Sequence, residues 1–130
     1  MTKDEIVKYW LNSSDIDFQA MESLFKNGHY VWSLFVGHLV IEKLLKAYYV
    51  KTVDSAIPYS HDLLNIAKKA NLVLSEGQED FLDDATTFNI KARYPDYKNR
   101  FYKKASKKFT EEQISKIKEF RPWLTKKISS

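Results

Sequence analysis

The sequence contains no cysteine among its 130 residues. Disulfide bonds and thiolate metal ligands are therefore excluded, and no disulfide framework ties the fold to an oxidising compartment. A secretory signal is not indicated either, because the charged N-terminal residues 1–5 are not followed by an apolar run of the signal type. We therefore expect a cytoplasmic protein.

Uninterrupted apolar runs are also lacking. The most apolar segment, residues 30–50, carries His38, Glu42, Lys43 and Lys46. Charged side chains at these positions are typical of a buried helix and not of a membrane span. We therefore expect no membrane association.

Glycine and proline are scarce, with three of each. An all-β sandwich needs many tight turns, so this scarcity favours long helices. It also excludes a glycine-rich phosphate loop of the P-loop type. The 130 residues correspond to one domain of ordinary size, which we place at residues 1–130.

Histidine is the third scarce residue type, with only His29, His38 and His61. None of them stands in a His-x-x-x-His or Glu-x-x-His pattern, so the sequence does not indicate a metal site. No nucleophile-elbow pattern is present, and we expect no cofactor and no metal.

Charge is present in quantity and is distributed unevenly. Residues 1–90 carry 8 basic and 13 acidic side chains, whereas residues 91–130 carry 13 basic and 4 acidic ones. The basic part would attract phosphates and the acidic part a basic partner. A solvated surface is the simpler explanation of the asymmetry when it is taken alone.

Apolar periodicity predicts an all-α, up-and-down bundle of about five helices. Three helix starts are predicted from capping boxes, and one short helix from a serine cap at Ser60. The predicted helices are residues 3–26, 29–51 and 61–70, a fourth from the Ser75-x-x-Gln78 box to a point before Pro95, and a last one from the Thr110-x-x-Gln113 box.

The second predicted helix is apolar around most of its circumference, which indicates a central position. One monomer would have difficulty burying it completely, so we expect a homodimer. Its one polar seam is His38, Glu42 and Lys46, in which Glu42 precedes Lys46 by four residues, the favourable order for an ion pair. His38 is read as a hydrogen-bonded core histidine, or as part of a seam that lines a polar groove.

The segment that follows the fourth helix combines positive charge with aromatic rings. Arg93, Tyr94, Tyr97 and Arg100 begin it, and lysines continue it to residue 109. Basic groups neutralise phosphates, and rings stack on bases. A solvated basic loop whose rings pack back on the bundle explains the composition equally well.

Three segments together resemble the HEPN domain, the domain of higher eukaryotes and prokaryotes associated with nucleotide binding. They are VIEKLLKAYYV at 40–50, SHDLLNIAKKANL at 60–72 and NIKARYPDY at 89–97. The resemblance implies a helical bundle that is commonly a dimer and is often encoded beside a minimal nucleotidyltransferase. Some members are ribonucleases of toxin–antitoxin systems, and others bind nucleotides or serve as accessory modules.

Ribonuclease members of that family carry an Arg followed, after four to six residues, by a His. The matching Arg is Arg93, but positions 98–100 hold Lys98, Asn99 and Arg100. The resemblance therefore implies a phosphate-binding corner without its proton-transfer partner, unless the fold brings His61 close to Arg93.

Three hypotheses follow from these observations. The first is a non-catalytic accessory module that binds a nucleotide or RNA phosphate, and its proposed ligand residues are Arg93, Tyr94, Tyr97, Arg100, Lys46 and His61. The second is a metal-independent endoribonuclease. The third is a purely protein-binding helical module, for which a nucleotidyltransferase is the implied partner.

Overall fold

The chain folds as an all-α bundle, which confirms the predicted class. The structure is a computed structural model that describes the whole backbone and every side chain outside residues 95–99. Across that backbone there are six helices, one more than predicted. They are α1 (Lys3–Lys26), α2 (Tyr30–Thr52), α3 (Leu63–Lys69), α4 (Glu76–Arg93), α5 (Pro95–Lys104) and α6 (Lys107–Ser129).

The first helix begins and ends as the sequence predicts. The Thr2 hydroxyl accepts a hydrogen bond from the Glu5 amide at 3.2 Å, and the Glu5 carboxylate accepts one from the Thr2 amide at 3.0 Å. After α1, Gly28 has a φ of 80°, a left-handed conformation that glycine adopts without strain. The chain can therefore turn back at once into α2.

Helix α2 is central, and it packs against α1, α6, α4 and α3. Neighbouring side chains pack closely against it at Gly37, where an added Cβ would lie 2.7 Å from Ile117 Cδ1 and 3.2 Å from Met21 Sδ. The bundle buries 12 of the 23 residues of α2, while Trp32 stays 36 % exposed and Phe35, Val36 and Leu39 are only partly buried. The homodimer expected from the apolar character of this helix stays a prediction.

Buried polar side chains tie α2 to α1. Ser14 Oγ donates to the carbonyl oxygen of Val40, and Ser33 Oγ donates to that of Met21, each at 2.8 Å. At the other end of α2, the Lys51 ammonium donates to the carbonyl oxygens of Ile128 and Ser130. A cation at this position also complements the negative end of the α6 dipole.

Two helix starts differ from the prediction. Helix α3 is capped by Asp62, whose carboxylate accepts from the Asn65 amide, while Ser60 accepts from the Asp62 amide instead. Helix α6 is capped by Ser106, whose hydroxyl accepts from the Phe109 amide at 3.1 Å. The capping box predicted at Thr110 and Gln113 is therefore wrong. Both residues lie inside α6 and are buried.

Helix α5 is the element that the sequence did not predict. Tyr94 is extended, with φ −103° and ψ 126°, as the residue before a proline tends to be. Pro95 then occupies the first turn of α5, where its fixed φ suits a helix and its missing N–H costs nothing. The break at Tyr94-Pro95 is thus a corner between two helices. Within the described chain, no helix is long and apolar enough to cross a membrane.

Candidate functional site

A buried carboxylate stands at the centre of the candidate site. Glu42 is the one acidic residue of the mainly apolar α2 and is only 4 % exposed. Its Oε2 accepts from Lys46 Nζ at 3.0 Å, which confirms the predicted ion pair. Its Oε1 accepts from His61 Nδ1 at 2.8 Å. Both oxygens of this carboxylate are thereby paired, as a buried charge requires.

The two donors keep Glu42 ionised. Burial raises the pKa of the Glu42 carboxyl, but the hydrogen bonds from His61 and Lys46 and the positive charge of Lys46 outweigh burial and hold the pKa below its ordinary value. The hydrogen bonds from both donors are therefore made to a carboxylate.

His38 lies one turn before Glu42 and is fully buried. Its Nε2 is 3.0 Å from the carbonyl oxygen of His61 and 3.7 Å from Glu42 Oε1. Because a carbonyl oxygen only accepts, Nε2 carries the hydrogen. His38 Nδ1 is buried and has no hydrogen-bond partner in the described part of the chain. The reading of His38 as a hydrogen-bonded core histidine is confirmed.

The environment of His38 disfavours its charged form. Burial lowers the pKa of His38. The charges of His61 and Arg93 act in the same direction, while the bond to the His61 carbonyl and the Glu42 charge oppose the shift without reversing it.

The Lys46 side chain is held in place by contacts within the protein. Its side chain is only 14 % exposed, and its Nζ lies 5.2 Å from the ring centroid of Trp10 on α1. The ammonium is thus held by the Glu42 carboxylate and a cation–π contact. Of the described side chains expected to contact a ligand, Lys46 is the least exposed.

His61 belongs to the irregular segment between α2 and α3, yet it is held firmly. Its ring is fixed by Glu42 and its carbonyl by His38. Two residues later, the Leu63 amide donates to Thr86 Oγ1 on α4 at 3.0 Å. The His61 side chain nevertheless remains 52 % exposed, so one edge of the imidazole faces solvent.

Arg93 is the last residue of α4 and is exposed to solvent. Its Nε donates to the carbonyl oxygen of Asn89 at 3.0 Å, and its guanidinium lies 5.8 Å from the ring centroid of Phe35 on α2. Among the side chains outside residues 95–99, no carboxylate lies within ion-pair distance of this guanidinium. Within that part of the chain, its two terminal nitrogens have no carboxylate partner.

We call His38, Glu42, Lys46, His61 and Arg93 the polar cluster. Hydrogen bonds through Glu42 and the His61 carbonyl join the first four of these residues. Arg93 contacts Asn89 and Phe35 and not these four, and we group it with them as the exposed cation at the end of α4. In the described part of the chain, no group of three or more His, Asp or Glu side chains could hold a metal ion.

The remaining expected ligand residues do not join the polar cluster by any contact between described side chains. Tyr94 is 54 % exposed at the corner between α4 and α5, and Arg100 is exposed on α5. The side chains of Tyr97, Lys98 and Asn99 lie outside the described part of the structure, so the prediction for Tyr97 is not tested. The roles of these residues remain predictions.

Sequence reasoning recognised the seam on α2 but missed the function of Glu42 as the hub that binds His61. The available signal was a lone carboxylate in an apolar helix, which must find partners when it is buried. The identity of a partner 19 residues away could not be read from periodicity.

Comparison with known proteins gives one clear result. Residues 7–128, nearly the whole chain, match the family model described as the HEPN domain. Neither a search of curated proteins nor a search of solved structures returned a significant match.

Proposed function

The chain belongs to the HEPN domain family, and from this premise we propose that it binds a nucleotide, or a phosphate-bearing segment of RNA, at the polar cluster. The observation that carries the proposal is the Arg93 guanidinium. It is anchored through Nε, it is exposed, and its terminal nitrogens have no described carboxylate partner. A guanidinium presents a planar pair of donors that fits a phosphate through two hydrogen bonds.

The charge of the polar cluster supports an anionic ligand. The negative charge of Glu42 is compensated by Lys46, so Arg93 adds an excess positive charge at the surface. The half-exposed His61 offers a further nitrogen to a phosphate oxygen. The basic residues that follow Arg93 add a wider positive field, and Tyr94, Tyr97 and Arg100 remain proposed contacts for bases or phosphates.

Titration of ATP, GTP and a short RNA at low and at physiological salt tests the site. We expect Arg93→Ala to weaken binding by roughly 10- to 100-fold, the loss of a hydrogen-bonded charge. Arg121→Ala is the matched control, because it removes the same charge from the α1–α6 side, where Arg121 pairs with Asp15. Binding that is undetectable in every form, or equal in wild type and Arg93→Ala, would refute the proposed site.

Two partners are proposed from the family premise. Dimeric HEPN proteins are common, so we propose a homodimer. Size-exclusion chromatography with light-scattering detection would show it as twice the chain mass.

A minimal nucleotidyltransferase is the second proposed partner. Co-purification with the product of an adjacent nucleotidyltransferase gene would support it, and a chain that elutes alone beside that product would count against it.

Metal-independent ribonuclease activity is a second candidate, and one observation favours it. His61 Nδ1 is bound by Glu42 while the side chain stays 52 % exposed, which leaves Nε2 open to a substrate, although the family position after Arg93 lacks a histidine. In such a reaction His61 would take the 2′-hydroxyl proton while that oxygen attacks phosphorus, and the leaving 5′-oxygen would take a proton from water. Labelled RNA that stays intact with pure protein in EDTA would eliminate this candidate; if cleavage occurs, His61→Ala should abolish it.

A further inference from the structure

His61 is held in an unusual way for a residue of an irregular segment. Its main chain and its side chain are both bound by α2, through two different residues that lie one turn apart. Either bond alone would tie the segment to the helix. Together they fix both the position of the His61 backbone and the rotation of its ring.

The two bonds also determine where the hydrogens lie. The His61 carbonyl oxygen can only accept, so the bond at 3.0 Å requires a hydrogen on His38 Nε2. The Glu42 carboxylate can only accept, so the bond at 2.8 Å requires a hydrogen on His61 Nδ1. A neutral His61 therefore has its lone pair on Nε2, the ring nitrogen that Glu42 leaves unbound.

The arrangement is costly for a purely structural connection. It places a carboxylate in an apolar helix, and it leaves His38 Nδ1 buried without a partner in the described part of the chain. A buried unpaired polar atom costs about 1–3 kcal/mol. An apolar pair of residues would attach the segment without this penalty.

We propose that Glu42 and His38 are positioning residues that hold His61 as the Nδ1–H tautomer with Nε2 directed to the ligand of the polar cluster. Glu42 fixes the tautomer of the His61 ring, and His38 fixes the position of the His61 backbone along α2. The inference rests on the proposed phosphate site for the identity of the ligand, but the tautomer itself is a property of the free protein.

NMR of the free protein with ¹⁵N-labelled histidine tests the tautomer without any ligand. At a pH of about 8, above the ordinary histidine range, His61 should appear as the Nδ1–H form and His38 as the Nε2–H form. His29 is an internal reference, because it occupies the N-cap position of α2 but its side chain makes no capping hydrogen bond. An Nε2–H form at His61 in the wild type, as in most imidazoles in water, would overturn the proposal.

Variants separate positioning from general stability. Glu42→Met should release the His61 tautomer and weaken ATP or RNA binding by about tenfold, whereas Glu22→Met on the exposed face of α1 should change neither. His38→Phe should weaken binding, and His38→Gln, which keeps a donor for the His61 carbonyl, should restore most of it. A folded Glu42→Met with unchanged tautomer and affinity would contradict the proposal.

The outcomes distinguish this inference from the proposed function. If no form binds ATP, GTP or RNA, the phosphate site is refuted, while a fixed Nδ1–H tautomer that Glu42→Met releases still supports positioning. If Glu42→Met does not fold, the wild-type spectrum and the two His38 variants decide the matter.

Discussion

The face of α2 that meets α1 and α6 differs from the face that meets α3 and α4. On the first face, Gly37 allows contact with Ile117 and Met21, and the buried hydroxyl of Ser33 is satisfied. On the second face lie the Glu42 carboxylate and a histidine with an unpartnered nitrogen. One helix thus carries close packing on one side and a costly polar arrangement on the other.

The largest expected effect is on the packed face. Gly37→Leu should lower the free energy of unfolding by about 3 kcal/mol, because it overpacks a contact in which even a Cβ would be 2.7 Å from Ile117 Cδ1. Urea titration measures this change. Gly37→Ala is the control and should cost much less, since flexible side-chain ends can move and alanine favours the helix by about 1 kcal/mol. A Leu variant as stable as the wild type would remove the distinction between the two faces.

An intermediate effect is expected on the polar face. Glu42→Met alone should lower the free energy of unfolding by about 2 kcal/mol, because it leaves the Lys46 ammonium unpaired in a mostly buried position. Glu42→Met combined with Lys46→Met should recover to within about 1 kcal/mol of the wild type, since both charges are then removed. The double variant should still bind ligand poorly. If it is as unstable as the single variant, the ion pair itself stabilises the fold.

The smallest expected effect is a dependence of stability on pH. The pKa of His38 in the folded protein is lowered from its ordinary 6.5. Just below pH 6.5 the unfolded chain therefore binds more protons at this residue than the folded chain does. The contribution of His38 is therefore present above pH 6.5 and is lost as the pH falls below it. The lowered pKa of Glu42 adds a second loss below its ordinary 4.5.

Urea midpoints between about pH 8 and pH 5 measure the first of these losses. The wild type should become less stable toward the acid end, and His38→Phe should flatten that part of the profile. A wild-type midpoint that is constant over this range, or a variant with the same slope, would show that the buried histidine is not what distinguishes the polar face.

Much of the fold was readable from the sequence because its signals are local. The capping boxes at Thr2 and Ser75 and the ion pair of Glu42 with Lys46 each join residues three or four positions apart. The start of α6 was misplaced because two hydroxyls one turn apart, Ser106 and Thr110, are both acceptable caps. Burial of Thr110 decides between them, and burial depends on the tertiary structure.

The candidate site was only partly readable. Arg93 was proposed from the basic, aromatic segment at the end of α4 and from the family resemblance, and it stays a prediction. His61 was expected to contribute only if the fold brought it near. The bonds from α2 to His61 join residues 19 and 23 positions apart across an irregular segment. No periodicity encodes such a pairing, so only the assembled bundle connects His61 to Glu42 and to His38.

The bond from Lys51 to the last carbonyl oxygens of α6 has a practical consequence. It holds the end of α6 beside the end of α2, whereas Phe35, which contacts Arg93, lies 16 residues earlier on α2. At 1.5 Å per residue, this separates the two places by about 24 Å along the helix. A fluorophore or surface tether attached after α6 would therefore lie far from the Arg93 end of the polar cluster and closer to its Lys46 end, which is five residues, about 7.5 Å, from Lys51.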